Sequence, residues 1–302
     1  MTVMMRNKDH NHQVIAYCAL TTGFNLISQA FNFYYVNVFL NIYQVQEAWF
    51  QFAQVMFLIW NAINDPLFAY CADNKNIRFM STRRNMVLYG APFFALSFLV
   101  PWFQWSPNPT IIGLHLIIAL CFWDTMFTLV GLASCCLFTE ISQDPSKRIT
   151  LTRYATLGSL VGSSSILFLD HASSSLINFR AFQFVSVIVA FLSWVLMHYC
   201  GKHCHTRFDL NQMKQKNKSP DQVLHERSGH ESYFQQTLQI LSDINFLSFV
   251  ITNFFQEFHK TYLINFLAVI CDQMVPANYI SQRMRSTFYG CVPFSSQRRL
   301  ID

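Results

Sequence analysis

The sequence predicts an all-α membrane protein, and three observations support this fold class. The 302-residue chain is 52% hydrophobic and only 12% charged, about half the charged fraction of an average soluble domain. Its mean hydropathy of +0.25, with 31 Phe and 12 Tyr, is too high for an intrinsically disordered chain. The apolar residues also lie in long uncharged blocks and do not follow a helix or strand period.

Seven blocks are long enough to be membrane-spanning helices, since such a helix needs about 20 residues. No Asp, Glu, Lys or Arg occurs between Asp9 and Glu47, between Arg84 and Asp124, or between Arg180 and Lys202. The second block contains two spans, because the prolines at 107 and 109 interrupt it. We expect spans at residues 14–40, 50–72, 86–105, 111–139, 150–169, 179–199 and 246–270.

These spans divide the chain into three parts. We expect a six-span bundle at 1–200, a polar cytoplasmic linker at 201–245, and a seventh span with a tail at 246–302. Lys and Arg cluster in alternate connections, which predicts a cytoplasmic N-terminus in the plasma membrane or an endomembrane. The net charge of +5 comes largely from residues beside the spans, so it indicates contact with membrane lipid and not with nucleic acid.

Two acidic residues lie inside predicted spans, where each costs about 2.5–3.5 kcal/mol on insertion scales and therefore suggests a function. Asp65 lies in span two, directly before Pro66, and Asp124 lies in span four. Carboxylate, amide and carbonyl oxygens together suit Na⁺ or a proton. The alternative is that Asp65 only satisfies a helix kink or pairs with a basic residue, and the residues alone leave both interpretations open.

Other chemistries have weaker support. The chain has nine cysteines, and those inside spans act as small apolar side chains. A metal site near the end of span six is disfavoured because the spacing of its His and Cys residues matches no standard zinc pattern. We find no nucleophile elbow, zinc-protease helix or phosphate loop, so we expect neither an enzyme nor a cofactor. The His and Cys residues in question are His198, Cys200, His203, Cys204 and His205.

A family resemblance appears around span two. The order Asp65-Pro66-x-x-Ala69-x-x-x-Asp73, then Arg83-Arg84, then Leu88-Tyr89-Gly90-Ala91-Pro92, resembles the melibiose-carrier branch of the major facilitator superfamily. These proteins are glycoside-pentoside-hexuronide:cation symporters. The segment Leu137-x-x-Glu140-Ile141-Ser142-x-Asp144-x-x-x-Arg148 resembles the loop after their fourth span, and the likeness covers about residues 13–290. It implies the N-terminal six-helix bundle of the major facilitator fold plus one helix of the second half.

The resemblance also implies a cation- and substrate-binding site. Asp65 and Asp124 correspond to cation-linked carboxylates of the family. Asn61 replaces a further family carboxylate, Asn25 replaces a sugar-contacting Asp, and Cys121 replaces a hydroxyl. A separate group, Asp73, Arg83 and Arg84, corresponds to the loop that connects helices two and three to the cytoplasmic gate.

Two functions from different classes follow from the resemblance. The first is Na⁺- or H⁺-coupled symport of a small polar solute such as a sugar. The second is a non-transporting truncated relative that acts as a scaffold or regulator, or that has no function. Residues 271–302 are too polar and too few to form a further span, so we expect a carrier only if the chain forms a homo-oligomer or pairs with a full-length carrier.

Overall fold

A computed structural model describes residues 2–73, 82–142, 144–173, 176–206, 241–256 and 258–259, with side chains from residue 12 onward except 72 and 73. The described residues are helical or lie in turns, and none of them forms a strand. The predicted all-α class is therefore confirmed. The chain divides into two compact units, Met1–Asp209 and Leu210–Asp302.

The first unit is built from seven helices in the part of the chain that is described. A π-helical turn, Val38–Ile42, extends the first of them, and a 3₁₀ turn, Val100–Trp102, follows the third. The helices are α1 (Thr2–Asn37), α2 (Glu47–Asp73), α3 (Arg83–Leu99), α4 (Pro109–Ile141), α5 (Pro145–Ser163), α6 (Ser165–Ser173) and α7 (Phe179–His203).

Side-chain caps fix several helix starts. The Asn108 side chain accepts a hydrogen bond from the backbone N–H of Thr110 at 3.1 Å, and Pro109 is the first residue of α4. Proline suits this position because the first helical N–H has no partner in the helix. Thr82 caps α3 and Asn178 caps α7 in the same manner. The predicted interruption of the second uncharged block by the prolines at 107 and 109 thus lies between the 3₁₀ turn and α4.

Helix α1 lies at the centre of the unit. Its Ser28-to-Phe31 turn approaches α4, where the Phe31 and Trp123 rings stack at 4.0 Å with an interplanar angle of 7°. The Ser193 hydroxyl of α7 donates to Gly23 O at 2.6 Å. Contacts between residue pairs show that α1 runs antiparallel to α4 and α7 and parallel to α5, so that successive spans alternate in direction.

Two glycines allow α5 to approach α1 closely. A Cβ on Gly158 would lie 2.4 Å from Thr21 Oγ1 and 2.7 Å from Cys18 O. A Cβ on Gly162 would lie 2.6 Å from the Asn25 Cβ and 2.7 Å from a backbone carbonyl of α1. Distances under 3.0 Å to backbone atoms cannot be relieved by a rotamer change, so both positions require glycine for this helix spacing.

The predicted span at 150–169 is interrupted at Ser164, between α5 and α6. Three consecutive serines explain the break, because a serine hydroxyl competes with the helical backbone for hydrogen-bond partners. Ser163 and Ser164 donate to carbonyls of their own helix at 2.9 and 2.6 Å. Ser165 instead donates across to Leu26 O of α1 at 2.7 Å, which attaches the start of α6 to the central helix.

Four of the described helices are long and apolar enough to cross a membrane: His12–Ile42, Arg83–Trp102, Pro109–Ile141 and Phe179–His203. Helix α2 has 27 residues, but its Asn and Asp side chains lower its mean hydropathy. Polar residues have the same effect in α5, and α6 is short. In the second unit, Ile244–Gln256 is a shorter apolar helix that overlaps the start of predicted span seven. Residues 207–240 of the predicted linker and 260–302 lie outside the described residues.

We predict that Gly162→Ala destabilises the protein by about 1–3 kcal/mol, because the new methyl group overpacks the α1–α5 contact. Gly131→Ala is the matched control, since its Cβ would lie at an ordinary 3.7 Å from the Phe24 ring. Alanine also favours helix over glycine by up to about 1 kcal/mol. Thermal unfolding in detergent checks this prediction, and equal melting temperatures for the two variants would contradict it.

Candidate functional site

A buried carboxylate lies between α2 and α4. Asp124 of α4 is only 3% exposed, and both of its carboxylate oxygens accept hydrogen bonds from α2. Asn61 Nδ2 donates to Oδ1 at 3.3 Å, and Asn64 Nδ2 donates to Oδ2 at 3.1 Å. The two donors are one helical turn apart on α2, so they reach the same side chain of the neighbouring helix. Asp124 thereby has two amide partners on α2.

Two further hydrogen bonds flank this carboxylate and join the same helices. Trp60 Nε1 donates to Thr125 Oγ1 at 3.0 Å, and Thr128 Oγ1 donates to Asp65 Oδ1 at 2.9 Å. The Thr125 hydroxyl in turn donates to the carbonyl of Cys121 at 2.7 Å. Since each contact pairs a residue of α2 with one about 60–65 positions later, the two helices run parallel here.

The two acids have different surroundings. Asp65 is exposed on α2, whereas Asp124 is buried against it. Pro66 follows Asp65 without interrupting α2. Proline has no N–H, so the carbonyl one turn earlier, that of Ala62, lacks its helical donor. An oxygen with spare acceptor capacity therefore lies on the same turn as Asn61.

Asn64 has an unsatisfied oxygen. Its side chain is 0% exposed, its Nδ2 donates to Asp124, and its Oδ1 accepts no hydrogen bond from any residue that the structure describes. A buried acceptor without a partner costs about 1–3 kcal/mol. The amide group that contacts the Asp124 carboxylate thus also carries an oxygen that is available to a proton donor or a cation.

The structure brings together most of the predicted site residues. Asp65, Asp124 and Asn61 all belong to the α2–α4 contact, and Cys121 joins it through its carbonyl. Asn25 has other partners: its Nδ2 donates to Thr21 O at 2.8 Å within α1 and to Ser159 Oγ of α5 at 3.1 Å. The predicted Asn25 therefore belongs to the α1–α5 contact.

Sequence analysis missed three residues of the site: Asn64, Thr125 and Thr128. Helical spacing could have indicated them, because positions 61, 64 and 65 share one side of α2, and positions 121, 125 and 128 share one side of α4. Two polar sides on neighbouring apolar helices favour contact with each other. The sequence contains no sign, however, of which threonine pairs with which acid.

The predicted gating residues lie near the ends of α2 and α3. Asp73 is the last residue of α2 and Arg83 is the first of α3, while residues 74–81 between them lie outside the described residues. Arg84 Nη1 lies 3.1 Å from His205 Nδ1, just after α7. The role of these residues in gating stays a prediction.

The segment 204–206 connects four helices at the end of the unit where α3 begins and α7 ends. Gln13 Nε2 of α1 donates to His205 O at 2.5 Å, and Arg84 of α3 contacts the His205 ring. Thr206 Oγ1 donates to Glu140 Oε2 of α4 at 2.7 Å. We call residues 204–206 the terminal strap. The described residues include no group of three or more His, Cys, Asp or Glu side chains placed to hold a metal ion.

We predict that Asn64→Leu destabilises the protein more than Asn61→Leu. The first substitution removes the shorter, fully buried hydrogen bond to the Asp124 carboxylate. Leaving that charged group without a donor costs more than is regained by removing the unpartnered neutral Oδ1 of Asn64. The Asn61 side chain is half-buried, so water can replace its hydrogen bond. Melting temperatures in cation-free buffer measure the difference. The reverse order, or no loss in either variant, would contradict the assigned geometry.

Comparisons with known proteins agree with the membrane fold. The chain is 26% identical to transmembrane protein 180 of Gallus gallus over 288 residues, which are 88% of this chain and 55% of the relative. It is also 26% identical to transmembrane protein 180 of Mus musculus, over 91% of this chain and 56% of the relative. The chain thus spans about half the length of these curated relatives.

The predicted family is confirmed by a match over most of the chain. Residues 16–262 match the family described as MFS/sugar transport protein. This range includes α2, α4 and every polar contact between them. Together with the apolar helices, the match shows an integral membrane protein that resembles transporters. The chain belongs to the MFS/sugar transport protein family.

Proposed function

We propose that this chain forms the cation-binding part of a symporter in which Na⁺ or H⁺ drives the movement of a small polar solute such as a sugar. One observation carries the proposal: Asp124 lies buried between α2 and α4, with amide groups on both of its oxygens. A second acid, Asp65 of α2, accepts a hydrogen bond from Thr128, one turn further along α4. A carboxylate buried among membrane-spanning helices is costly, and such carboxylates are typical of ion and proton pathways.

The chemistry of the α2–α4 contact suits a small hard cation or a proton. Neutral amide donors reduce the cost of burying the Asp124 charge but do not neutralise it. A bound cation or proton supplies the missing positive charge. The Asn64 Oδ1 is a further oxygen ligand in the same place, and oxygen ligands are preferred by hard cations.

Cation binding would be coupled to solute movement because the cation site at Asp124 lies between two helices, α2 and α4. Cation binding replaces amide donors on the Asp124 carboxylate and thus changes what holds α2 against α4. In two-half transporters the substrate lies near the bilayer midplane between the halves, so a change in one half alters the faces that surround it. We therefore expect a change at the α2–α4 contact to alter how the solute is held between this half and the opposite half of the transporter.

A non-transporting scaffold is the second candidate, and a specific contact favours it. Asn61, where the family resemblance implies a carboxylate, already donates to Asp124. Both oxygens of Asp124 thus have hydrogen-bond donors without any cation, as expected if the α2–α4 contact is purely structural. Under this alternative, cations leave the stability of the chain unchanged.

We predict that Na⁺ or Li⁺ raises the melting temperature of the full chain in detergent, and that Asp124→Asn abolishes the effect. A ligand that binds only the native state stabilises it by RT ln(1 + [L]/Kd), about 2.7 kcal/mol at 100 times Kd. Asp65→Asn should weaken the response. Asp144→Asn is the matched control, because that carboxylate lies at the start of α5, outside the α2–α4 contact.

Proton coupling has a different signature in the same experiment. A group that binds protons more tightly in the folded state contributes stability that increases as the pH falls. A rise in melting temperature on acidification that is present in the native chain and lost in Asp124→Asn therefore indicates H⁺. Identical responses of the native chain and Asp124→Asn to all three ions would refute the cation site and favour the scaffold.

A further inference from the structure

A buried histidine lies at the end of the first unit where α3 ends and α7 begins, opposite the terminal strap. His115 of α4 is 0% exposed, and its Nε2 lies 2.9 Å from Val100 O in the 3₁₀ turn. Because a carbonyl oxygen only accepts hydrogen bonds, Nε2 must carry a proton. The other ring nitrogen, Nδ1, is buried and has no hydrogen-bond partner among the residues that the structure describes. A second proton, placed on Nδ1, would therefore have no described acceptor.

Aromatic rings enclose the imidazole. The Trp105 ring stacks on it, with 4.5 Å between the ring centroids and an interplanar angle of 23°. The Phe39 ring lies 5.3 Å away in an edge arrangement, and the Tyr43 ring lies 6.2 Å away. Trp105 is itself 51% exposed, so its ring forms the outer cover of the imidazole.

The contacts of His115 join the ends of four helices. The 3₁₀ turn follows α3, Phe39 belongs to the π-helical turn of α1, and His115 lies in the second turn of α4. Tyr43 adds α7 to this group. Its hydroxyl donates to Pro101 O at 3.1 Å, and its ring lies 5.9 Å from that of Phe179, the first residue of α7.

A proton on Nδ1 of His115 would have no counter-charge. The π-helical turn, the 3₁₀ turn and the connection at 103–108 contain no titratable side chain. Tyr43 is the titratable residue in ring contact, and a tyrosine is neutral at acidic pH. The charged residues at the starts of α2 and α7 are Glu47 and Arg180, and both are exposed. Asp124 lies nine positions further along α4, about 13 Å away along the helix.

Protonation of His115 would therefore oppose the closed packing at this end. The imidazolium would lose its hydration and gain no ion-pair partner, which is strongly unfavourable. Stacking on Trp105 compensates for part of this loss through a cation–π interaction. Displacement of the Trp105 ring with the connection at 103–108 would admit water to the imidazole. The charged form of His115 is thus stable only when this end of the unit opens.

We propose that His115 is a pH-sensitive lock, which holds the ends of α1, α3, α4 and α7 together when it is neutral and opens this end of the unit to water when it is protonated. The inference goes beyond the proposed function, because it concerns a residue outside the α2–α4 contact. The open form binds a proton on Nδ1, whereas the closed form does not. If the open form has the ordinary histidine pKa of about 6.5, its population increases about thirtyfold from pH 7.5 to pH 5.0.

Hydrogen exchange at these two pH values tests the lock, because the exchange of a protected amide reports the population of the open form. The full chain in detergent is exchanged in sodium-free buffer, and mass spectrometry follows the peptide that contains the Tyr43 and Val45 amides. These amides donate to Val38 O and Phe39 O at 2.9 and 3.0 Å, at the π-helical turn. Each rate is divided by the intrinsic exchange rate of the same peptide at that pH.

Two substitutions remove the titratable group. His115→Gln retains a side-chain N–H that can donate where Nε2 donates, and His115→Phe retains an aromatic ring. His171→Gln is the matched control, because His171 is exposed on α6 and its charged form is hydrated. The Cys204 amide, which donates to Cys200 O at 2.8 Å, reports whether the opposite end of the unit also opens. Circular dichroism and the melting temperature at pH 7.5 confirm that each variant folds.

We expect the corrected exchange rate at Tyr43 and Val45 to be at least about tenfold higher at pH 5.0 than at pH 7.5 in the native chain and in His171→Gln. The rate should stay constant in both His115 variants, and the rate at Cys204 should stay constant throughout. An unchanged rate in the native chain, or an equal increase in either folded His115 variant, would overturn the proposal.

Two further outcomes separate this lock from other effects of acid. An equal increase at Cys204 would overturn the proposal, because the whole unit would then unfold. Asp124→Asn should retain the pH response at Tyr43, since that carboxylate lies outside the lock. A cation response lost in Asp124→Asn, together with no pH response at Tyr43 in the native chain, would leave the proposed function intact and refute only this inference.

Discussion

The hydrogen bonds between α2 and the buried carboxylate of Asp124 determine how the first unit presents its polar groups. Asn61 and Asn64 approach the same side chain from one turn of α2, which fixes the rotation of that helix about its axis. With this rotation set, Asp65 reaches Thr128 and remains exposed. The positions of the remaining polar side chains on α2 follow from this one contact.

The central position of α1 depends on a second constraint, which is steric. Gly158 and Gly162 allow α5 to lie directly against α1, and Ser165 bonds to Leu26 O just beyond them. On its other sides α1 packs through aromatic rings, including the stacked Phe31 and Trp123. Close backbone approach on one side and ring stacking on the other leave the side with Gln29 and Asn32 uncovered. Of these two amides, Asn32 is exposed and Gln29 is half-buried.

Much of the fold could be predicted from the sequence, because length, hydropathy and proline positions act locally. The reversal at 106–109 follows from two prolines and a capping Asn, and the acids at 65 and 124 stand out from apolar surroundings. The three serines at the break are visible in the sequence, but the attachment of Ser165 to Leu26 O could not be predicted, since that carbonyl is 139 residues away. The hydrogen-bond partners of Asn64 and Asn25 could not be predicted for a similar reason, since Asp124 and Ser159 are 60 and 134 positions distant. Amide side chains do not indicate their partners in advance.

The terminal strap has a mechanical consequence. Residues 204–206 leave α7 and are hydrogen-bonded to α1, α3 and α4 through Gln13, Arg84 and Glu140. A force applied to the polypeptide beyond residue 206 therefore acts on the ends of four helices at once. Thr206 is only 4% exposed, so this attachment is partly shielded from competing water. Displacement of the following chain would tilt this end of the unit as one block and would not pull α7 away by itself.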